Sequence, residues 1–334
     1  MNESKALGLV LGSAIAPEKL APLTRDAEAL GFDELWFSED CFFTGGISSA
    51  AIALASTARV RVGLGVVSAM LRHPALLAME VATLARAFPQ RLTVGVGLGV
   101  PAWLRQVGRM PASPLSAVSE CVTSLRELLG GERLERSGEY FSFDGVALAH
   151  PPGAVPIHLG VLGRRMLQLS GEIADGSILS VCAGADYVRW ARRRIEEGAA
   201  RRDGGTSGQR VTVFSLYAVD PDGDRARQAV RRPLAFYLAA DGVNDLTRTE
   251  GVAATVAEIS GRGGADALVE EMPDEWLDRL AVCGTPAQCA ARLRQLYEAG
   301  ADSVALLPVD GAHLSETVRL TARTVSPLLS RAPR

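Results

Sequence analysis

Two adjacent carboxyls, Glu39 and Asp40, beside the thiol of Cys41 are the residues of this chain best suited to acid–base chemistry, and Arg164 with Arg165 is the pair best suited to hold an anion. The arginines follow Gly163 and open a helical stretch, where unpaired N–H groups and the positive end of the helix dipole already disfavour cations. A negative group is expected there. A phosphate would accept hydrogen bonds from the free N–H groups while the guanidinium groups close over it. Two solvated surface arginines are the alternative. Asp40 is a candidate proton donor, because a carboxyl in an apolar mouth near Cys41, Phe42 and Phe43 would have a raised pKa. An aspartate bracing its own loop is the alternative. Adjacent strand side chains point to opposite sides, so only one of Glu39 and Asp40 faces a ligand unless the chain has turned. Cys41 would be a nucleophile only with an activating base, and none is evident. Trp103 either covers a ligand or packs.

Glycines supply a different chemical opportunity. Gly95, Gly97 and Gly99 alternate with Val96 and Leu98, so on a strand they share one face. Gly63 and Gly65 repeat the pattern on the preceding strand. Two neighbouring strands without side chains would admit a flat ring; glycines that merely fit a tapered interior are the alternative.

The elements that must position these residues read as strands at Leu7–Leu11, Asp33–Glu39, Val60–Val67, Leu92–Leu98, Ile157–Leu162, Ser177–Val181, Val211–Val219 and Ser303–Pro308. Helical periods separate them. Pro17 opens the first, with Leu20, Leu23, Ala27 and Leu30 on one face, and Thr285-Pro286-Ala287-Gln288 reads as a capping box before the last strand. Eight strands, several continuously apolar and so buried on both faces, predict an α/β fold of the (β/α)8 TIM-barrel type. An open doubly wound sheet is the alternative, but no G-x-G-x-x-G follows the first strand. The connection from about Asp220 to Cys283 is too long for a plain loop and predicts a helical insertion between strands 7 and 8, a lid or an oligomer contact. One domain spanning residues 1–334 is expected.

Composition narrows the class. With 48% apolar and 22% charged residues, the 334-residue chain can bury a large core. A net charge of −3, with basic and acidic residues interspersed, argues against a nucleic-acid partner. The uncharged run Leu92–Leu104 is too short and glycine-rich to span a bilayer, and MNESKALG is no signal peptide, so a cytoplasmic enzyme with a small-molecule substrate is expected. Five cysteines without a C-x-x-C pair and four scattered histidines predict neither a disulfide framework nor a metal site.

The strand pattern, Arg72-His73-Pro74 after the third strand, and Leu162-Gly163-Arg164-Arg165-Met166-Leu167 with Gly171-Glu172-Ile173-Ala174-Asp175-Gly176 after the fifth resemble the bacterial luciferase-like oxidoreductases. The resemblance is to the branch that uses the deazaflavin coenzyme F420, of the methylenetetrahydromethanopterin reductase type, and covers nearly the whole chain. It implies a flavin or deazaflavin at the barrel mouth, its phosphate cradled by Leu162, Gly163, Arg165 and Met166 with Arg164 alongside. It places Val67, Leu98 and Gly99 along the ring and Glu39 at the end of the second strand. It also implies a non-proline cis peptide behind the ring at Gly65-Val66, or one step later at Val66-Val67, and a homodimer. Sugar-phosphate and alcohol dehydrogenases of this branch carry histidine where this chain has Asp40 and glutamate where it has Val100, so their acid–base pair is missing. Glu172 and Asp175 lie where a structural role is expected.

The first expectation is therefore hydride transfer between reduced deazaflavin and a small organic substrate. An FMN-dependent monooxygenase of the same fold is the second, and a non-catalytic flavin-binding barrel the third.

Overall fold

The computed structural model describes residues 5–202 and 208–329. Its strands are β1 (Ala6–Leu11), β2 (Glu34–Phe37), β3 (Arg61–Ser68), β4 (Leu92–Gly97), β5 (Leu134–Ser137), β6 (Ser142–Val146), β7 (Ile157–Val161), β8 (Gly176–Leu179), β9 (Arg210–Val219), β10 (Val282–Gly284) and β11 (Ser303–Pro308). Eight of them pair in parallel in the order β11-β1-β2-β3-β4-β7-β8-β9, and β9 pairs back to β11. The sheet is thus a closed (β/α)8 barrel, and its eight strands are the eight apolar runs.

Several strand ends differ from expectation, β7 and β8 also stopping early at Val161 and Leu179, and two of the differences bear most on the site. β2 stops at Phe37, so Ser38, Glu39 and Asp40 have left the sheet; β4 stops at Gly97, before Leu98 and Gly99. Three short strands carry no readable periodicity. β5 and β6 form an antiparallel hairpin between β4 and β7, and β10 adds to the end of β9. The insertion is helical: Gly223–Asp241, Asp245–Thr249, Ala253–Glu271, kinked at Gly263 and Gly264, and Asp274–Leu280. Thr285 and Gln288 form the expected reciprocal cap on the helix Pro286–Glu298.

The barrel interior is filled by large side chains from some strands meeting glycines on others. A Cβ on Gly63 would overlap the Trp36 ring, and one on Gly65 would lie 2.5 Å from the Phe214 ring. Trp36 and Phe214 themselves meet edge to face, centroids 5.6 Å apart. Higher up, a Cβ on Gly97 or Gly160 would lie 2.8 or 2.7 Å from the Val66 side chain. The face expected to be bare is therefore occupied, and the glycines serve the packing of a tapered interior.

Below Trp36 lies a polar layer. The carboxylate of Glu34, 3% exposed, accepts from Arg61 at 3.0 Å, Arg210 at 2.7 Å, Ser303 at 2.6 Å and the Trp36 indole at 3.1 Å. Burial alone would raise its pKa, but Arg210, Ser303, Arg61 and Trp36 together hold it below the ordinary value. His158, beside Trp36, is 3% exposed with its Nδ1 unpartnered, and burial pushes its pKa down to about 4.

His158 therefore stays neutral in the folded barrel at pH values where it would be protonated in the unfolded chain. Its folded pKa lies below the unfolded 6.5, so stability is whole above that pH and drains away as pH falls toward 4. The imidazole should account for roughly 3 kcal/mol of the loss. Denaturant unfolding of wild type and His158→Gln across this window should show a flatter pH dependence in the variant; parallel curves would assign the loss elsewhere.

Candidate active site

The C-terminal ends of the strands gather the residues singled out above. Past β2 the chain has turned, so Glu39 and Asp40 each find separate partners. The Glu39 side chain, 8% exposed, binds Arg72 Nη1 at 2.5 Å through Oε2, while its Oε1 is buried with no hydrogen-bond partner. Asp40 Oδ2 accepts from Ser13 Oγ at 2.7 Å and Ser38 Oγ at 2.8 Å, tying the loops after β1 and β2 together. Asp40 does brace its loop, and the apolar mouth expected around it is not formed by its neighbours: Phe42 and Phe43 are 71% and 61% exposed. Burial, then Glu39 and Asp40, raise the Cys41 pKa, which keeps the thiol protonated and a poor nucleophile.

The sequence Arg72-His73-Pro74 acquires a role for each side chain. Arg72 pairs with Glu39, His73 Nδ1 accepts from Ala75 N–H at 3.2 Å as the N-cap of the helix Pro74–Ala87, and Pro74 opens that helix.

Along β3 the Gly65-Val66 peptide is cis, as expected, and the register against β4 shifts between Leu64 and Val67. Cys41-Phe42 is also cis, which no sequence feature indicates. Val66 projects into the barrel toward Gly95, Gly97 and Gly160; Val67, expected along a ring, is buried with 1% exposure. Leu98 is partly buried, and its carbonyl accepts from Ser68 Oγ at 2.6 Å. Gly99 does not share the face of Gly95 and Gly97, because the strand has ended: its φ is +88°, and a Cβ there would meet Ser68 Cβ at 3.0 Å. Trp103 sits half-buried on a short helix, Pro101–Gln106.

Past β7, Leu162 and Gly163 lead into the helix Arg164–Ile173, with Arg164 and Arg165 exposed and Met166 partly buried. The negative group expected at this helix start is present, and it belongs to the chain: Asp245 Oδ2 accepts from Arg164 N–H at 2.9 Å. Asp245 begins the insertion helix Asp245–Thr249 and also pairs with Arg248 at 3.5 Å. The backbone of Gly163 is otherwise open: a Cβ there would have Asp245 Oδ2, at 3.7 Å, as its nearest neighbour. Tyr187 Oη fixes the turn by donating to the Leu162 carbonyl at 2.5 Å. The rest of that sequence pattern serves packing, as expected: a Cβ on Gly171 would strike the Ile195 carbonyl, and Asp175 accepts from Arg126 and Ile157 N–H, both at 2.9 Å.

Two residues of the mouth escape the sequence, Asp245 and Tyr237. Tyr237, on the insertion helix Gly223–Asp241, reaches a cavity of about 850 Å³ bordered by Gly12, Leu216 and Leu307. Burial first, then Asp40, Cys182 and Asp241, raise its pKa to about 12, so it stays a hydrogen-bond donor. Among the described residues, no group of three or more His, Cys, Asp or Glu could hold a metal ion, and no helix is long and apolar enough to cross a membrane.

Residues 5–303 match the luciferase-like monooxygenase family. The chain is 27% identical over 311 residues to a 5,10-methylenetetrahydromethanopterin reductase of Methanolobus tindarius, covering 92% of this chain and 95% of that protein. It is 30% identical to an F420-dependent glucose-6-phosphate dehydrogenase of Beutenbergia cavernae, covering 79% and 83%. In structure it superposes on the coenzyme F420 dependent tetrahydromethanopterin reductase from Methanopyrus kandleri with a TM-score of 0.85 at 22% identity, over 98% of this chain and 100% of that one.

The left-handed backbone at Gly99 has a direct consequence. Gly99→Val places a β-branched residue at φ +88° against Ser68, which should cost about 1–3 kcal/mol of stability. Thermal unfolding should show a lowered melting temperature; an unchanged one would contradict the backbone role.

Proposed function

Because the chain belongs to the luciferase-like monooxygenase family, we propose that it is an oxidoreductase that binds coenzyme F420 at the barrel mouth and moves a hydride between it and a small organic substrate. The observation that carries this reading is a pair of polar anchors in the segments that follow two separate strands, β2 and β7. An anion-accepting helix start lies at Gly163-Arg164, and a buried carboxylate oxygen without a donor lies at Glu39. A flat coenzyme with an anionic side chain needs both.

The residues present fit the group. The first-turn N–H of Arg164 already donates to a carboxylate, and Arg164 and Arg165 stand exposed beside it. Glu39 Oε1 would accept from a ring N–H, its charge balanced by Arg72. Val66, Leu98 and Trp103 would form the apolar surround. When bound, a deazaflavin supplies a hydride carried on carbon and reacts poorly with oxygen, which suits reduction or dehydrogenation. Asp40 would be the group that holds or moves a proton, its carboxyl braced through Oδ2 by the Ser13 and Ser38 hydroxyls. Val100, 42% exposed, supplies no second carboxyl. The insertion would act as the lid through Asp245, whose carboxylate the coenzyme phosphate would displace. A homodimer would give the exposed Leu76 and Met79 of the helix Pro74–Ala87 a surface to cover them, and a cytoplasmic site of action fits a diffusible coenzyme.

Titration of the purified protein with F420 and with FMN tests the coenzyme. Binding of F420 in preference to FMN is expected; a yellow protein that retains FMN and ignores F420 would favour a monooxygenase. Arg165→Glu sets a carboxylate beside the phosphate and should weaken F420 binding at least tenfold, about 1.4 kcal/mol. Asp245→Asn keeps a capping oxygen but removes the competing charge, so it should tighten binding. Unchanged affinities with unchanged melting temperatures would remove the phosphate from this helix start.

Asp40→Asn preserves shape but cannot deliver a proton. Coenzyme binding should persist while turnover falls by roughly 10² to 10⁴. Full turnover would move the proton to another group.

A further inference from the structure

The two sides of the barrel mouth differ in chemistry. On one side Val66 fills the interior against β4 and β7. The opposite side is made by β9, β11 and β1. A Cβ on Gly8 would meet Glu34 Cβ at 3.2 Å and Ala305 Cβ at 3.4 Å, so that face of β1 and β11 points inward; period two then places Val10, Gly12 and Leu307 on the same inner face, nearer the mouth. Phe214 likewise faces inward onto Trp36, and Leu216 follows it. These residues border the cavity of about 850 Å³, which runs outward between the helices Leu20–Ala29 and Leu314–Thr324.

Polarity is divided along the cavity. The barrel strands contribute Val10, Leu216 and Leu307 to its wall, and the inserted helix Gly223–Asp241 contributes Pro233 and Tyr237, whose phenol is the one hydroxyl donor among these five. The charged and titratable wall residues, Lys19, Asp26, His313, Glu316 and Arg319, come from segments outside the barrel strands, where Arg319 pairs with Asp26 at 2.7 Å and His313 with Asp310 at 2.8 Å. None of the wall residues supplied by β1, β9 and β11, which are Val10, Leu216, Leu307 and Pro308, is charged. A phosphate dianion placed there would lose its hydration with no charged partner, which is prohibitive, whereas an apolar body would fill it favourably. One acceptor would complete the match. A buried hydroxyl needs a partner, and a ligand lacking an acceptor would leave Tyr237 without one.

We propose that this cavity is the substrate chamber and that it takes an uncharged, largely apolar molecule whose single carbonyl-type acceptor receives the Tyr237 hydrogen bond, and that it excludes sugar phosphates. The proposal rests on the coenzyme reading above for the ring that the substrate would face. It differs from that reading in what it requires of Leu307 and Tyr237. Ser13, which binds Asp40, lies between Gly12 and Ala14 of the cavity wall, so the chamber borders the candidate proton donor.

Calorimetric titration of 2-acetylnaphthalene and of glucose 6-phosphate into wild type, Tyr237→Phe and Leu307→Arg, each with and without F420, tests the proposal. The ketone should bind wild type, bind Tyr237→Phe about 3- to 10-fold more weakly through loss of one hydrogen bond, and fail to bind Leu307→Arg. Glucose 6-phosphate should not bind wild type. Binding of glucose 6-phosphate as tight as the ketone, ketone affinity unchanged in Tyr237→Phe, or no ketone binding to wild type would each overturn it. Tyr237→Phe loses one oxygen and keeps the packing, so the test stands even if Leu307→Arg does not fold. A wild type that binds the ketone but not F420 would instead sink the coenzyme reading and leave the chamber standing.

Discussion

Space inside the barrel governs the rest of this structure. Trp36 and Phe214 enter from β2 and β9, and they fit only because Gly63 and Gly65 carry no side chains; a methyl at either would collide with a ring. Overpacking of this kind typically costs about 1–3 kcal/mol, and more where the neighbour is a rigid ring. The same exchange repeats one layer higher, where Val66 takes the room left by Gly97 and Gly160. Filling the interior from β2, β3 and β9 leaves the mouth open toward β11 and β1, so the asymmetry of the core becomes the asymmetry of the site.

Electrostatics at the mouth follow a second rule: the carboxylates of Glu39, Asp40 and Asp245 each have a partner in a segment that follows a different strand. Arg72 after β3 neutralises Glu39 after β2, and Ser13 after β1 holds Asp40. Asp245 from the insertion after β9 caps the helix that follows β7. Exposed ion pairs contribute little to stability, but Glu39 is nearly buried, and removing Arg72 would strand its charge. These cross-strand links fix positions more than they add stability. The Asp245 contact is the exception in kind, since it joins an inserted helix of five residues to the site's anion acceptor.

The barrel was legible because strands buried on both faces leave continuous apolar runs, and β1 is buried at all six positions. Strand ends were not legible. Whether Glu39 or Gly99 still lies on a strand depends on neighbours across the sheet, and both fall just past the last paired residue. The glycine pattern was visible, but what fills it comes from opposite strands, so a ring-binding wall and a packed interior read alike. Helix start, arginines and the need for a negative partner were all readable at Gly163-Arg164-Arg165; that the partner is Asp245 was not, because 81 residues separate it from Arg164. Tyr237 beside Phe236 reads as ordinary packing until the insertion is folded over the mouth.

The roles of Glu39, Arg164 and Asp245 all depend on where a bound coenzyme lies. A crystal structure of the protein with oxidised F420 tests this most directly. The expected result is a ring against Val66 with its edge donating to Glu39, and a phosphate on the Arg164 N–H in place of the Asp245 carboxylate. A coenzyme bound elsewhere while Asp245 still caps Arg164 would contradict it.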